Sequence, residues 1–480
     1  MCRHHVELQP HRDRQHRPFS GDRILVNKYA YDFADPERYD VIVFKYPNNG
    51  KQNFIKRLVG LPGEGLLIEH GNIYAWDLEN ESFADRRITR KTPDKLQAMS
   101  VVVDDTRFIP DSVREAGWPS LWQDWTAKPG EGWTRSEGGD GPVFRLQASP
   151  RTSWLRYRHL KLRDSDWNLV KQGERSPRLA NGIPPGELIT DYYAYNDTLT
   201  TVRFQDGTRR DRRTPNGVHW VGDLGLQAWI DIESDQGTLL LQAVKGGVAF
   251  TCSIDVASGQ ATLNASDDSV RFAGPVSAKT PIRGPGNHRV EFFNADDRLY
   301  LWIDGRNIEI ENAEYQRQPR TVPVYRKDGP SDSEPLGIGG RDISLQVNRL
   351  QVRRDIYYTS KNNTREGAAD PSPSLEYTGF RNVDLINEIL RNPERWATPQ
   401  AGELFASRDR DEQWAFRLGP HQLLPMGDNS PQSNDARIWN GERYVDDSYL
   451  LGKALFIYWP HAKTTPLPFF PNFERMRFIR

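Results

Sequence analysis

A lysine on an apolar stripe is the first residue of this sequence that could do chemistry. It lies in the segment FIKRLVGLPGE, residues 54–64, which reads as a β-strand. Side chains alternate across a strand, so Phe54, Lys56 and Leu58 share one face. Burial disfavours an ammonium group, and a neutral lysine can act as a base near neutral pH. In the alternative interpretation, the lysine stem packs on the sheet while the ammonium reaches water.

A second polar cluster lies near the other end of the chain, in the segment MGDNSPQSNDARIW. It contains Asp428, Ser433, Asp435 and Arg437. Taken alone, this pattern indicates an ordinary turn with a surface ion pair, which adds little to stability. The lysine and this cluster need a fold that brings distant parts of the chain together if they are to act jointly.

The elements that could position these residues are short strands at both ends of the chain. Residues 21–76 contain several runs rich in Val, Ile, Phe and Tyr, each bounded by Gly, Pro or Asn. A comparable pattern of short apolar runs is found again only in residues 413–480, in WAFRLGPHQLLPMGDNS and LLGKALFIYWP. The two ends therefore predict β structure around both polar clusters.

Three segments in order resemble the conserved boxes of bacterial type I signal peptidases. They are GDRILVNKYAY, YDVIVFKYPNNGKQNFIKRLVGLPGE and MGDNSPQSNDARIW. The resemblance covers roughly residues 21–76 and 413–480, little more than a quarter of the chain. It implies a serine endopeptidase that removes signal peptides from secretory precursors with a Ser/Lys dyad, on the outer, periplasmic face of the cytoplasmic membrane.

The resemblance also assigns roles to individual residues. Lys56 matches the general base that takes the proton of a serine nucleophile, without a histidine. Ser433 matches the second serine, which orients the lysine. Asp435 and Arg437 match the pair that braces this loop, and Asp428 belongs to the same polar cluster.

One box of the family is missing from this sequence. The nucleophilic serine of the family lies in a Ser-Met-x-Pro-Thr box shortly before the GDRILV strand, and no such box is present. Ser20 adjoins Gly21 directly, while the usual spacing points to Asp13. The membrane anchor that normally precedes this box is missing as well. We therefore expect an N-terminally truncated chain that is inactive as it stands.

Composition excludes several classes of function. Lysine plus arginine number 64 and aspartate plus glutamate 65, so charge gives no case for a nucleic-acid partner. Only Cys2 and Cys252 are present, which excludes a disulfide framework and a multi-thiolate zinc site, although one long-range disulfide stays open. The potential ligands in the first twenty residues fit no standard zinc spacing, and we expect neither a metal nor a cofactor. These potential ligands are Cys2, His4, His5, His11 and His16.

The middle of the chain predicts a separate β-sandwich. In GLQAWIDIES the alternate residues Leu226, Ala228, Ile230 and Ile232 fall on one face, and HRVEFFNADDRLYLWIDGR reads as a hairpin with its turn at residues 294–297. Many short strands with regular turns are typical of two-sheet sandwiches. The segments RLYLWIDGRNIEI and GIGGRDISLQVNRLQVRRDIYY resemble laminin-G or concanavalin-like jelly rolls, which often bind carbohydrate or protein.

Two local patterns predict helices. The four residues Trp118, Leu121, Trp122 and Trp125 have helical spacing, as on a packed helix face. The four residues Leu385, Ile386, Ile389 and Leu390 indicate a short helix with Asp384 as its N-cap.

These observations predict a mainly β protein, with a split signal-peptidase-like catalytic domain and an inserted jelly-roll sandwich. The expected parts are an irregular start (1–20), the first catalytic part (21–76), a mixed segment (77–140), the sandwich (141–358), a linker with a short helix (359–412) and the second catalytic part (413–480).

Two other functions remain open from the sequence. In one, the catalytic region is an inactive remnant and the sandwich binds carbohydrate or protein. Retention of Lys56, Ser433, Asp435 and Arg437 argues against it. In the other, the chain is a LexA-like self-cleaving repressor with the same serine-lysine chemistry, but no helix-turn-helix pattern precedes the catalytic region.

Overall fold

The computed structural model gives the fold of most of the chain. It describes residues 21–125, 132–139, 141–196, 199–203, 209–213, 216–317, 322–329, 331–360, 383–405, 412, 415–439, 442–460 and 472–479. The irregular start predicted for residues 1–20 and most of the predicted linker therefore lie outside the described residues.

Within the described residues 21–99, the chain forms strands and two short helices. Their bounds are β1 (Arg23–Asn27), α1 (Ala30–Phe33), β2 (Val41–Tyr46), β3 (Asn49–Gly60), β4 (Glu64–Glu69), β5 (Asn72–Asp77), β6 (Arg87–Ile88) and α2 (Pro93–Met99).

Among the described residues in the middle of the chain, most of the regular elements are strands. Its elements are β7 (Val101–Asp105), α3 (Asp111–Glu115), β8 (Trp122–Asp124), β9 (Trp133–Gly138), β10 (Gly141–Leu146), β11 (Ser153–Tyr157), α4 (Asp164–Gln172), β12 (Leu199–Arg203), β13 (Arg209–Arg213), β14 (Leu224–Ile232), β15 (Thr238–Lys245), β16 (Val248–Asp255), β17 (Gln260–Ala265), β18 (Val270–Phe272), β19 (Ser277–Lys279), β20 (Gly286–Ala295), β21 (Arg298–Ile303), β22 (Arg306–Ile308), β23 (Tyr315–Arg317), β24 (Leu336–Arg341) and β25 (Leu345–Arg354).

In its described residues, the last part of the chain adds two helices and five strands. They are α5 (Val383–Arg391), α6 (Pro399–Leu404), β26 (Phe416–Arg417), β27 (Gln422–Met426), β28 (Val445–Asp446), β29 (Leu450–Trp459) and β30 (Arg477–Phe478). Among the described residues, none of the helices has both the length and the apolar character needed to cross a bilayer.

The chain divides into two compact units. The first, here called the terminal unit, comprises the described parts of residues 21–99, 356–360 and 412–479. The second, the sandwich unit, comprises the described parts of residues 100–355 and 383–405. Both units are built mainly from antiparallel sheets, which confirms the predicted mainly β fold class.

Strands from the two chain ends alternate within the terminal unit. One sheet has the order β1-β29-β2-β3-β27-β28, with β30 paired to β29, and a second sheet has the order β26-β4-β5-β6. Strand β29 thus lies between β1 and β2, and β27 lies beside β3. Interleaving of this kind makes the two ends of the chain one folded body.

The sandwich unit has two large antiparallel sheets around one core. Their orders are β22-β21-β20-β14-β25-β10-β9, with β7 paired to β25, and β19-β17-β16-β15-β24-β11-β8. The four residues predicted to share one face of β14 are all buried in this core. The predicted hairpin is also present, and Asp296 and Asp297 of its turn have φ values of 50° and 52°, as in the tight turns that suit strand twist.

Some sequence predictions differ from the fold. The helical spacing of the tryptophans was misleading: Trp122 begins strand β8 and is buried in the sandwich core. Helix α5 is present, but it begins at Val383, so Asp384 lies in its first turn and is not its N-cap. Strands β7 and β8 belong to the sandwich sheets, so that unit starts near residue 100. A short apolar run fits both the helical period and the strand period, and pairing with neighbouring strands decides which structure forms.

Candidate active site

The pairing of two strands places the GDN loop beside Lys56. Strand β27 runs antiparallel to β3 with Met426 opposite Arg57. The chain leaves β27 at Gly427, directly next to the β3 segment that carries Lys56. A loop that begins there can reach the lysine without any long connection.

The two residues matched to the dyad region lie in contact. The Lys56 amine donates a hydrogen bond to the Ser433 hydroxyl, with 2.9 Å between Nζ and Oγ. The two residues are 377 positions apart in the sequence. Ser433 is buried, and Lys56 is partly buried. This distance is that of a well-formed hydrogen bond.

An aromatic cluster lies on the same side of the sheet as Lys56. Phe54 stacks on Tyr46 with ring centroids 4.7 Å apart, and Trp439 lies 5.2 Å from Tyr46 and 6.1 Å from Phe44. The Lys56 amine is 6.0 Å from the centroid of Phe54. These rings form an apolar surface next to the amine.

Burial lowers the pKa of Lys56 below its ordinary value. Asp435 and Asp428 act in the opposite direction, while Arg437 lowers the pKa further. The Lys56 amine is bonded to a buried hydroxyl, and the side chain as a whole is partly buried. The arrangement favours the neutral amine that general-base chemistry requires.

A chain of hydrogen bonds fixes the direction of the Ser433 hydroxyl. A hydrogen bond from Ser433 contributes to lowering the pKa of Asp435, so the hydroxyl proton points to that carboxylate. The hydroxyl oxygen can then only accept from Lys56, because a hydroxyl carries one proton. The lone pair of a neutral Lys56 amine is left for another group.

Asp435 and Arg437 form a fully buried ion pair. Arg437 Nε lies 2.7 Å from Asp435 Oδ1, and Nη2 lies 2.6 Å from Oδ2. Gly427 N–H donates to Asp435 Oδ2 at 3.0 Å. Burial alone would raise the pKa of Asp435, but the charge and hydrogen bonds of Arg437 hold it below the ordinary value.

Two further residues hold Arg437, and sequence reasoning missed both. Arg437 Nη1 donates to the Thr359 carbonyl at 2.7 Å, and to the hydroxyls of Thr359 and Ser430 at 3.0 and 2.9 Å. Ser430 lies inside the GDN box, so its position was a signal. Thr359 lies far away in the sequence, and nothing in the sequence pattern connects it with the box.

Asp428 pairs with an arginine of strand β3. It accepts two hydrogen bonds from Arg57, at 2.7 Å from Nε and 2.8 Å from Nη2. Arg57 also donates to the Tyr39 carbonyl at 2.8 Å. Arg57 follows Lys56 on β3 and points to the opposite face, so Asp428 ties the start of the loop to the same strand that carries the lysine.

The remaining residues considered from the sequence lie outside the described residues. These are Cys2, His4, His5, Ser20 and the other positions of the first twenty residues, including Asp13. Among the described residues, Cys252 is a free thiol buried in the sandwich core, and burial raises its pKa to about 12.

One group of described carboxylates could hold a metal ion by geometry alone. Asp223, Asp296 and Asp355 offer oxygens within 4.8 Å of one another in the sandwich unit. The Lys245 ammonium lies 2.6 Å from Asp223 and 3.1 Å from Asp297. A cation is therefore already supplied by the protein, and we assign no metal there.

Gly427 leaves the space that Ser433 occupies. A Cβ at this position would overlap Ser433 Oγ and lie 2.6 Å from Ser433 Cβ and 3.5 Å from Lys56 Nζ. We expect Gly427→Ala to push Ser433 away from Lys56 and to change the Lys56 pKa measured by NMR of ¹³C-labelled lysines. Gly50→Ala is the matched control, because nothing lies within 4 Å of a Cβ there. An unchanged Lys56 titration in Gly427→Ala would contradict this packing argument.

Lys56→Met should stabilise the protein at neutral pH. The folded-state pKa of Lys56 is lowered, so a charged Lys56 is less stable in the folded protein than in the unfolded chain. At a pH below the folded-state pKa, this difference lowers the free energy of unfolding in full. This penalty disappears as the pH rises to the ordinary lysine value of about 10.4. We expect thermal melts to give a higher melting temperature for Lys56→Met at pH 7, with the gain fading by about pH 10.5. A lower melting temperature throughout this range would refute the expectation.

Comparison with known proteins gives one family for the first part of the chain. Residues 14–111 match the family model described as signal peptidase, peptidase S26. The signal peptidase I of Pseudomonas fluorescens is 46% identical over 56 residues, which cover 9% of this chain and 20% of that protein. The signal peptidase I of Aquifex aeolicus is 52% identical over 44 residues, which cover 9% and 17%. This chain thus spans about a fifth of the length of these curated relatives.

Solved structures align with larger parts of the chain but at low similarity. The carbohydrate binding module CBM66 from Bacillus subtilis is 11% identical, with a TM-score of 0.24, and the alignment covers 48% of this chain and 95% of that one. The galectin LEC-6 of Caenorhabditis elegans is 11% identical with a TM-score of 0.20, covering 37% and 97%. The description of the sandwich unit therefore rests on the order and pairing of the strands in its two sheets.

Proposed function

For a chain that contains a type I signal peptidase-like region, we propose that the terminal unit is the catalytic domain of a serine endopeptidase that removes signal peptides. The observation that carries the proposal is the 2.9 Å hydrogen bond between the partly buried Lys56 amine and the buried Ser433 hydroxyl. In this proposal Lys56 is the general base, and Ser433 orients it. Asp435, Arg437 and Asp428 hold the loop in place.

The proposed reaction follows from the proton positions. Ser433 accepts from one amine N–H, so the amine lone pair is left for the hydroxyl of a serine nucleophile. Lys56 takes that proton as the serine oxygen attacks the scissile carbonyl, and then gives it to the leaving amine. The residues of this chain that match the family supply the base half of the dyad. The serine half belongs to the Ser-Met-x-Pro-Thr box, which this sequence lacks.

The proposed substrates are signal peptides of secretory precursors. An extended peptide can add to a sheet edge, where main-chain hydrogen bonds give affinity and shallow pockets select small side chains. The proposal places the catalytic domain on the outer face of the cytoplasmic membrane, as the family resemblance implies.

The test restores the missing half of the dyad. In the box-restored chain, residues 13–17 are replaced by Ser-Met-Tyr-Pro-Thr, at the spacing usual for the family. We expect this chain to cleave a fluorogenic precursor peptide with alanine at the first and third positions before the cut, and the chain with its own residues 13–17 not to cleave it.

A matched variant makes the result interpretable. The same graft with alanine in place of the introduced serine must be inactive if the dyad is responsible for cleavage. Cleavage by this alanine graft would reject the proposed mechanism. If the serine graft is folded and inactive while Lys56 titrates as an ordinary lysine, the terminal unit is a scaffold and the binding alternative for the sandwich replaces the peptidase.

A further inference from the structure

The sandwich sheet that contains β15 has an outer face that does not pack in the core. On β15, β16 and β24, the core residues Leu239, Cys252 and Ile338 alternate with side chains on this outer face. A cavity of about 360 Å³ lies there, within the range of small-ligand sites. It belongs to the sandwich unit and is lined by Thr152, Thr238, Leu240, Ser253, Asp255, Gln260, Thr262 and Arg341.

Strand pairing places an arginine and an aspartate in one row across this cavity. Arg341 of β24 lies opposite Thr238 of β15, and Thr238 lies opposite Asp255 of β16. Neighbouring strands are about 4.8 Å apart, so the two charged residues are separated by about 10 Å across the sheet. The space above Thr238 can therefore hold a ring whose opposite edges reach the two charged groups.

The two charged residues differ in their partners. The hydroxyl and the backbone N–H of Ser258 donate to the Asp255 carboxylate and hold its pKa below the ordinary value, and Lys279 acts in the same direction. Arg341 is exposed, and none of the described residues forms an ion pair or a side-chain hydrogen bond with it. A guanidinium presents parallel N–H groups that match a carboxylate. The cavity therefore has an open position for one carboxylate of a ligand.

The other polar groups of the cavity suit a molecule with several hydroxyls. A side-chain hydroxyl both donates and accepts, so such groups can pair with ligand hydroxyls in either direction. A phosphate dianion is disfavoured, because the Asp255 carboxylate repels additional negative charge. These polar groups are the hydroxyls of Thr152, Thr238, Ser253 and Thr262 and the amide of Gln260.

An apolar surface borders the same cavity. Trp154 of β11 lies opposite Gly339 of β24, and Gly339 lies opposite Leu240, which lines the cavity. The Trp154 ring occupies the space above Gly339, since a Cβ there would lie 2.8 Å from the ring atom Cε3. The Arg156 guanidinium lies 5.0 Å from the centroid of the Trp154 ring and helps to hold it. Trp154 and Leu240 thus offer an apolar surface to the C–H face of a sugar ring.

We propose that this outer face binds oligosaccharides of uronic acids, the sugars whose exocyclic carbon is a carboxylate. Arg341 pairs with the carboxylate, while Asp255 and the hydroxyls of the cavity bind the ring hydroxyls. The charge-assisted hydrogen bonds at Arg341 give selectivity for the acid over a neutral sugar of the same shape. This site is independent of the proposed peptidase, so either can fail alone.

The test uses the full 480-residue chain and the trimers of galacturonate, mannuronate and guluronate. Isothermal titration at neutral pH should show saturable binding of at least one trimer. Its methyl ester, which has the same skeleton without the charge, should bind at least about tenfold more weakly. Propane-1,2,3-tricarboxylate, which has the charges without a sugar ring, should also bind more weakly.

Three results would overturn the proposal. One is the lack of saturable binding of every trimer up to about 10 mM. The second is equal affinity for the trimer and its methyl ester, which would exclude recognition of the carboxylate. The third is equal affinity for the trimer and propane-1,2,3-tricarboxylate, which would exclude recognition of the sugar.

Two variants and a control identify the site. Arg341→Gln should weaken binding of the trimer about tenfold or more and leave the lower affinity for the ester nearly unchanged. Thr238→Tyr should abolish binding of both, because its ring would fill the space between Arg341 and Asp255. Arg306→Gln is the matched control, since Arg306 is an exposed arginine of β22 in the other sheet and does not line the cavity.

The variants also separate a specific contact from net charge. Trimer binding that survives Arg341→Gln in a chain with an unaltered near-UV spectrum would reject Arg341 as the carboxylate partner. An equal loss of affinity in Arg306→Gln would assign the binding to net charge and reject the site.

Discussion

Lys56→Met in the box-restored chain is expected to lower the rate of precursor-peptide cleavage by about 10³-fold, the typical contribution of a general base. Methionine has nearly the length and shape of lysine, so it keeps the contact with the aromatic cluster. It has no amine to accept the proton of the nucleophile. The rate is measured as kcat/KM on the fluorogenic peptide, and the loss should fall mainly in kcat.

The matched control for this prediction lies on the same strand. Lys51 of β3 is an exposed lysine, and Lys51→Met should leave kcat within about twofold, because surface substitutions rarely change more than a few tenths of a kcal/mol. An activity loss of similar size in both variants would mean that charge on β3, and not a base at Lys56, is responsible. Lys56→Met is also the variant expected to be more stable at pH 7, so unfolding would not explain its inactivity.

Asp435→Asn is expected to destabilise the terminal unit by about 3–5 kcal/mol, because it leaves the Arg437 guanidinium buried without its counter-charge. Both side chains are 0% exposed, so water cannot replace the lost partner. The substitution also weakens the hold on Ser433 and on the Gly427 N–H. Hydrogen exchange of peptides from β3 and β27 measures the free energy of unfolding of this unit.

The control for this ion pair is the same substitution at the surface. Asp22 pairs with Arg475 at 2.9 Å, and the two side chains are 22% and 47% exposed. Asp22→Asn should cost at most about 1 kcal/mol. If Asp22→Asn and Asp435→Asn lowered the free energy of unfolding equally, burial would not explain the effect at Asp435.

The pH dependence of the Asp435→Asn effect has a definite sign. The folded-state pKa of Asp435 is held below its ordinary value, so the ion pair stabilises the folded state above about pH 4. This contribution is lost as the pH falls through the folded-state pKa. The difference between Asp435→Asn and the unsubstituted chain should therefore be largest between pH 5 and 8 and should shrink below about pH 4. A difference that is constant down to pH 2 would reject the electrostatic explanation.

The alternation of apolar residues in the sequence predicted many of the strands. Pairing between strands decided the structure of the short apolar runs that fit either a helix or a strand. Alternation along β14 predicted which side chains face the core, because the period of two follows from strand geometry alone. The spacing around Trp122 predicted a helix and was wrong, because that short apolar run is paired with β11 in a sheet. No local pattern encodes a partner strand that lies 30 residues away.

In the candidate site too, local sequence patterns determined some features and long-range contacts determined others. The amino-acid sequence by itself determined the identity of Lys56 and the Ser-x-Asp-x-Arg loop, because these are local patterns whose residue types define the chemistry they can do. Only the tertiary structure decided that Asp428 binds Arg57 and that Thr359 holds Arg437. These contacts join residues that are 371 and 78 positions apart, and such long-range contacts leave no periodic signal in the chain.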